Sequence, residues 1–176
     1  MNLPQPQDTI AAVATAPGEG AIAVIRISGQ QTFPIVHQIF SKKIESCRTH
    51  TAHYGEILGI DGKAIDTGLL LVMRGPRSYT GEDTVEISCH GGSLITRKVL
   101  ERIFAAGARP AQPGEFSLRA FLNGKLDLAQ AEAVQQLIAS KSDLALQSAE
   151  RQLAGALSEK ISSFQQKLTA IAAILE

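Results

Sequence analysis

The chain has 176 residues, 44 % of them apolar, with 17 Lys+Arg against 17 Asp+Glu. That length suits one domain or one domain with an appendage, and the apolar share is enough for a packed core. Balanced charge gives no general field to draw in nucleic acid or an anionic membrane, so any RNA contact must be local or shared with a partner. The cysteines, Cys47 and Cys89, lack C-x-x-C spacing and indicate neither a zinc site nor a disulfide framework. Met1 to Gln7 has no basic, apolar leader, and no apolar run reaches membrane-spanning length. These features predict a soluble, cytoplasmic protein with no membrane partner.

Thr9 to Thr15 is a short strand candidate, and Pro17-Gly18-Glu19-Gly20 is a turn. Ala21 to Ser28 alternates as a firmer strand, with Ile22, Val24, Arg26 and Ser28 on one face and Ala21, Ala23, Ile25 and Ile27 on the other. Gln30 to Phe40 reads as a helix, with Ser28 near its start and Pro34 in its first turn, where proline is tolerated. Ser41 to Thr49 is loop. His53 to Leu58 and Ala64 to Met73, around Gly59-Ile-Asp-Gly62, form a hairpin. Leu69 to Met73 is apolar on both faces and predicts a central strand.

The stretch from Tyr79 to Gly92 is a polar turn, a strand and a two-glycine entry to a helix. From Asp83 to Cys89, Val85, Ile87 and Cys89 form the core face, with Thr84, Glu86 and Ser88 opposite. Gly91 and Gly92 would leave free N–H groups at a helix start, which suit an anion. The helix runs to about Ala106. Gly107 to Gly114 is a linker with a short edge strand.

Composition then shifts to helix formers. Glu115 to Leu122 is one helix, broken at Asn123-Gly124. Asp127 with Gln130 is a capping-box variant opening a second, and a third runs from Ser142 to the end. Within it Leu157, Ile161, Phe164, Leu168, Ile171 and Leu175 form an a/d seam that calls for a partner helix. As one helix it would span about 50 Å. It closes on Ala-Ile-Leu-Glu176 without a cap, which implies that the natural protein continues. The expected organisation is an α+β domain over residues 1–120 and the start of a helical domain over 121–176.

Few motifs carry chemistry. Gly18-x-Gly20 precedes a strand and is a turn. Gly124-Lys125 is followed by leucine and forms no P-loop. Gly-x-Ser-x-Gly is absent. Cys89 and His90 point to opposite faces of a strand and cannot easily cooperate. Cys89 reads as core. His90 either caps the helix start or touches a ligand. Arg26 is a fixed charge within an apolar strand; it must reach water, a carboxylate such as Glu86, or a bound anion. Glu86 reads equally as an ion-paired residue or a ligand residue. Lys125, at a helix break, is by itself a surface lysine. No catalytic nucleophile and no metal ligand set stands out.

Several stretches resemble one family. They are Asp8-Thr-Ile-Ala-Ala-Val-Ala-Thr-Ala-Pro-Gly-Glu-Gly20, Val24-Ile-Arg-Ile-Ser-Gly29, Ser78-Tyr-Thr-Gly-Glu-Asp-Thr-Val-Glu86, His90-Gly-Gly92, Pro113-Gly-Glu-Phe-Ser117 and Arg119-Ala-Phe-Leu-Asn-Gly-Lys-Leu-Asp-Leu-Ala-Gln-Ala-Glu-Ala133. In order and spacing they resemble the MnmE (TrmE) family of tRNA-modification GTPases, from about Asp8 to the end.

The resemblance implies an N-terminal folate-binding domain, a mixed sheet or half-barrel similar to half of the aminomethyltransferases, followed by a helical domain into which a GTPase domain is inserted. It implies binding of a one-carbon tetrahydrofolate such as 5-formyltetrahydrofolate. It implies homodimerisation through the N-terminal domain and a heterotetramer with the flavoprotein MnmG (GidA). Together the family's complexes carry out carboxymethylaminomethyl-type modification at C5 of the wobble uridine in tRNA. GTP, potassium and magnesium would belong to the GTPase domain, whose motifs this chain lacks, so it would bind and position without hydrolysing GTP. The implied folate-binding positions fall on Arg26, Glu86 and Lys125. Rival expectations are a structural dimerisation module without folate, and a free-standing one-carbon transferase with His90 as base.

Overall fold

Alternation decides the sheet. In β2 (Ile22–Ser28) and β5 (Thr84–His90), Ala23, Ile25, Ile27, Val85, Ile87 and Cys89 are buried on one face. Val24, Arg26, Glu86 and Ser88 lie half-buried on the other. The computed structural model describes residues 8–44 and 46–175, which divide into two units, Met1–Phe116 and Ser117–Glu176.

The first unit adds β1 (Ile10–Val13), β3 (Thr51–Leu58), β4 (Ala64–Met73) and β6 (Arg109–Pro110), with helices α1 (Thr32–Ile39) and α2 (Ser93–Ala105). The six strands form one sheet in the order β3-β4-β5-β2-β1-β6. Every pairing is antiparallel except β1 with β6. The fold is the expected α+β arrangement, and the 107–114 linker does carry an edge strand. Phe33, Val36 and Ile39 of α1 and Val99 and Ile103 of α2 close the buried face of the sheet. Each such side chain contributes about 1.5–3 kcal/mol by leaving water.

Two local expectations change. Ser28 does not start α1; Gln31 is the N-cap and makes no side-chain cap bond. Ser28 is drawn instead into a buried hydroxyl cluster with Thr80 and Thr84. Leu69 to Met73 does lie in an interior strand, but only Leu70 and Val72 are fully buried, and Leu69 is 49 % exposed on the uncovered face.

The second unit is helical. α3 (Glu115–Leu122) begins at the boundary and leads to α4 (Leu128–Ala139), α5 (Asp143–Leu153) and α6 (Ala156–Leu175). Asp127 and Gln130 form the expected capping box. The single long helix expected from Ser142 is corrected to two, because Gly155 adopts φ 91° between them. Gln130 Nε2 donates to the Leu153 carbonyl at 2.9 Å, and Gln152 Nε2 donates to the Ala129 carbonyl at 3.0 Å. The end of α5 is thereby tied to α4. On α6, Leu157, Ile161, Phe164, Leu168 and Ile171 are all exposed; the side chain of Leu175, the last of the seam, is not among those described, and Glu176 lies outside the described residues.

Candidate functional site

The register of β2 against β5 sets Arg26 directly opposite Glu86. Arg26 Nε donates to Glu86 Oε1 at 2.8 Å, and Nη2 lies 2.7 Å from the same oxygen. Ala12 of β1 and Leu71 of β4 are their outer cross-strand neighbours. The two side chains are 23 % and 22 % exposed, so the pair is reachable from solvent. Glu86 Oε2 makes no hydrogen bond with any described residue.

Two aromatic rings flank the guanidinium. Its central carbon is 5.0 Å from the Tyr79 centroid and 5.4 Å from the Phe116 centroid. Cation–π attraction at this range holds the arginine in place. Neither aromatic was singled out from sequence, although both lie inside the stretches that carried the resemblance. The signal was an aromatic next to each polar turn.

The turn before β5 is fastened to the sheet. Ser28 Oγ donates to Glu82 Oε2 at 2.7 Å, and Thr32 Oγ1 donates to the Asp83 carbonyl at 3.0 Å. Gly29 N–H also reaches that carbonyl, at 3.0 Å. This fixes where Tyr79 and the start of β5 stand.

Lys125 belongs to the second unit. It follows α3 on an exposed turn, where its N–H donates to the Ala120 carbonyl at 2.8 Å. Of the three expected site residues, the structure thus brings together Arg26 and Glu86.

His90 and Cys89 separate as expected. Cys89 is buried, and burial, reinforced by the Asp66 charge, pushes its thiol up, away from thiolate chemistry. His90 is exposed and neither caps α2 nor meets Glu86; the N-cap is Gly92, and the His90 ring meets Asp66. Burial pushes the Asp66 carboxyl upward. Hydrogen bonds from the His90 N–H, the His90 ring and the Thr67 N–H outweigh it and hold the group below the usual aspartate value.

At the start of α2, Gly91 packs closely against the turn before β2. Gly91 N–H donates to the Ala21 carbonyl at 3.2 Å, and Gly20 N–H donates to the Gly91 carbonyl at 3.3 Å. A Cβ on Gly91 would stand 2.5 Å from the Gly20 oxygen. Close approach of two segments of the chain accounts for this glycine.

Comparison with known proteins agrees with the pattern of these residues. The family model described as "GTP-binding protein TrmE N-terminus" matches residues 9–125. A tRNA modification GTPase MnmE from Protochlamydia amoebophila is 61 % identical over 97 % of this chain and 37 % of its own length. Proteins of the same name from Chlamydia pneumoniae and Carboxydothermus hydrogenoformans are 50 % and 49 % identical, over 96 % and 97 % of the chain and 38 % of their own lengths. The chain spans little more than a third of these relatives.

Proposed function

The chain belongs to the TrmE N-terminal family, and on that premise we propose that it is the one-carbon-folate-binding and self-pairing portion of a tRNA-modification GTPase. The observation that carries this is the Arg26–Glu86 pair, standing on the uncovered sheet face with one carboxylate oxygen unengaged.

The residues fit a reduced pterin. Glu86 Oε2 accepts an N–H from the ring edge, and Arg26 holds the carboxylate in the orientation that meets it. Tyr79 and Phe116 supply apolar walls. Lys125 is assigned to the carboxylates of the ligand's glutamate tail. When bound, the folate supplies the one-carbon unit for C5 of the wobble uridine. This chain's own part is to bind and orient it; the cysteine and histidine of β5 take no covalent role.

Self-pairing is assigned to the uncovered sheet face. Ile22, Tyr54 and Leu69 are 63 %, 61 % and 49 % exposed, and they line a depression of about 430 Å³ with Ser88 and His90. GTP hydrolysis with potassium and magnesium, the flavoprotein partner of the MnmG type, and a cytoplasmic setting belong to the whole protein in this reading. No described helix is long and apolar enough to cross a membrane.

A second reading has its own support. Arg26 and Glu86 already pair with each other through Oε1, so an ion pair in a purely structural dimerisation module would also account for them. Calorimetric titration with 5-formyltetrahydrofolate separates the two: saturable binding supports the folate site, and no heat with an intact dimer supports the structural module.

A further inference from the structure

Thr84, Glu86 and Ser88 share one face of β5, because alternate side chains of a strand point the same way. Their surroundings differ. Thr84 is fully buried, and its hydroxyl already meets those of Ser28 at 3.3 Å and Thr80 at 3.2 Å. Ser88 is half-buried, and its hydroxyl makes no hydrogen bond with any described residue. Directly across from it stand Val24 on β2 and Leu69 on β4, neither of which carries a polar side-chain atom. A lone hydroxyl between two apolar neighbours is left to water or to a ligand.

A ligand anchored on Glu86 therefore has one open direction along β5. Toward Thr84 the face is closed by the buried hydroxyl cluster. Toward Ser88 it opens into the depression that Ser88 lines with Ile22, Leu69 and His90. The His90 ring is turned to Asp66, with Nδ1 at 2.7 Å from Oδ1. Ser88 is thus the first unengaged hydrogen-bonding side chain on β5 beyond Glu86.

Two residues of extended strand separate Glu86 from Ser88 by about 7 Å, a distance that a bicyclic ring spans. We propose, resting on the folate reading above, that Ser88 is a specificity-determining residue of the same site. Its hydroxyl donates to a carbonyl oxygen carried at the far end of the ring, and so selects an acyl one-carbon group over an alkyl one. A formyl group on the ring nitrogen offers that acceptor. A methyl group in its place offers none, and leaves the hydroxyl covered without a partner. Glu86 reads the N–H edge of the ligand, and Ser88 reads the oxidation level of its one-carbon unit.

The test is calorimetric titration with 5-formyltetrahydrofolate and with 5-methyltetrahydrofolate, on the native chain, Ser88→Ala and Ser88→Thr. Ser88 lies on the uncovered face between partly exposed neighbours, so neither substitution reaches the core, and circular dichroism checks that. The native chain should prefer the formyl ligand by at least about 5-fold, the worth of one neutral hydrogen bond. Ser88→Ala should weaken 5-formyl binding by about 5- to 10-fold and leave 5-methyl binding unchanged, so that the preference vanishes. Ser88→Thr, which keeps the hydroxyl, should retain the preference. A formyl-to-methyl ratio that Ser88→Ala leaves unchanged overturns the assignment while the folate site stands. Weakening of both ligands by one factor overturns it in the same way, because lost shape rather than a lost carbonyl contact then accounts for the effect. No saturable binding of either folate by the native chain removes the folate reading, and this inference with it.

Discussion

His90 and Asp66 continue by side chain a ladder that the backbone has stopped making. Pairing between β4 and β5 begins at Leu69 and Ser88; beyond it, His90 N–H donates to Asp66 Oδ2 at 2.8 Å and His90 Nδ1 lies 2.7 Å from Asp66 Oδ1. The Asp66 side chain is only 8 % exposed, so its charge depends on these bonds.

This relationship sets a pH dependence. The folded Asp66 carboxyl titrates below its unfolded value of 3.8. Its contribution to stability is therefore fully present above about pH 4 and is lost as pH falls through the lowered folded value. Thermal unfolding followed from pH 6 downward, on the native chain and Asp66→Asn, reads it. The variant should be less stable at pH 6 and show a shallower acid loss; equal slopes would remove Asp66 from the account.

Glu115 is a second buried carboxylate with defined partners. It is 2 % exposed, and Arg109 grips it at 2.6 and 2.8 Å while also holding Asp8 at 2.6 Å. The paired carboxylates raise the Arg109 pKa further above its already high value. Glu115→Ala should cost about 2 kcal/mol in urea unfolding, less than a fully buried pair because Arg109 and Asp8 still meet water. Glu115→Gln, which keeps an acceptor, should cost less.

The glycines at the entry to α2 should respond unequally. Gly91→Ala places a Cβ 2.5 Å from the Gly20 oxygen, whereas Gly92→Ala meets nothing within 4 Å. Gly91→Ala should lower stability by about 1–3 kcal/mol, as overpacking does. Gly92→Ala should stay close to native in the same denaturant titration.

Self-pairing through the sheet face predicts a dimer that one charge disrupts. Leu69 is half exposed and Tyr54 lies opposite it on β3. Leu69→Glu should shift sedimentation equilibrium from dimer to monomer with unchanged circular dichroism. A dimer that survives Leu69→Glu but dissociates on Phe164→Glu would move the interface to α6.

Much of the first unit was legible because period-two burial leaves a direct trace. The opposite faces of Ile25 and Arg26, and of Ile87 and Glu86, follow from alternation alone. Sequence also offered Glu86 as one partner for Arg26, beside water and a bound anion, because Arg26 is a fixed charge within an apolar strand. It did not yield Tyr79 and Phe116, because a ring in a turn and a ring at a helix start carry no periodicity and come to Arg26 only through the fold. The break at Gly155 was hidden by an a/d pattern that runs on through α6. That pattern reports which face is apolar, not whether the axis is continuous. The His90–Asp66 bond joins residues 24 apart in sequence, and no local rule connects them.

The central claim is that Glu86, oriented by Arg26, receives a folate. Isothermal titration of the chain with 5-formyltetrahydrofolate, repeated on Glu86→Ala, tests it most directly. The account predicts saturable binding near micromolar concentration by the native chain, and loss of that binding in Glu86→Ala with the circular dichroism spectrum unchanged. Equal affinity in the two proteins would contradict it.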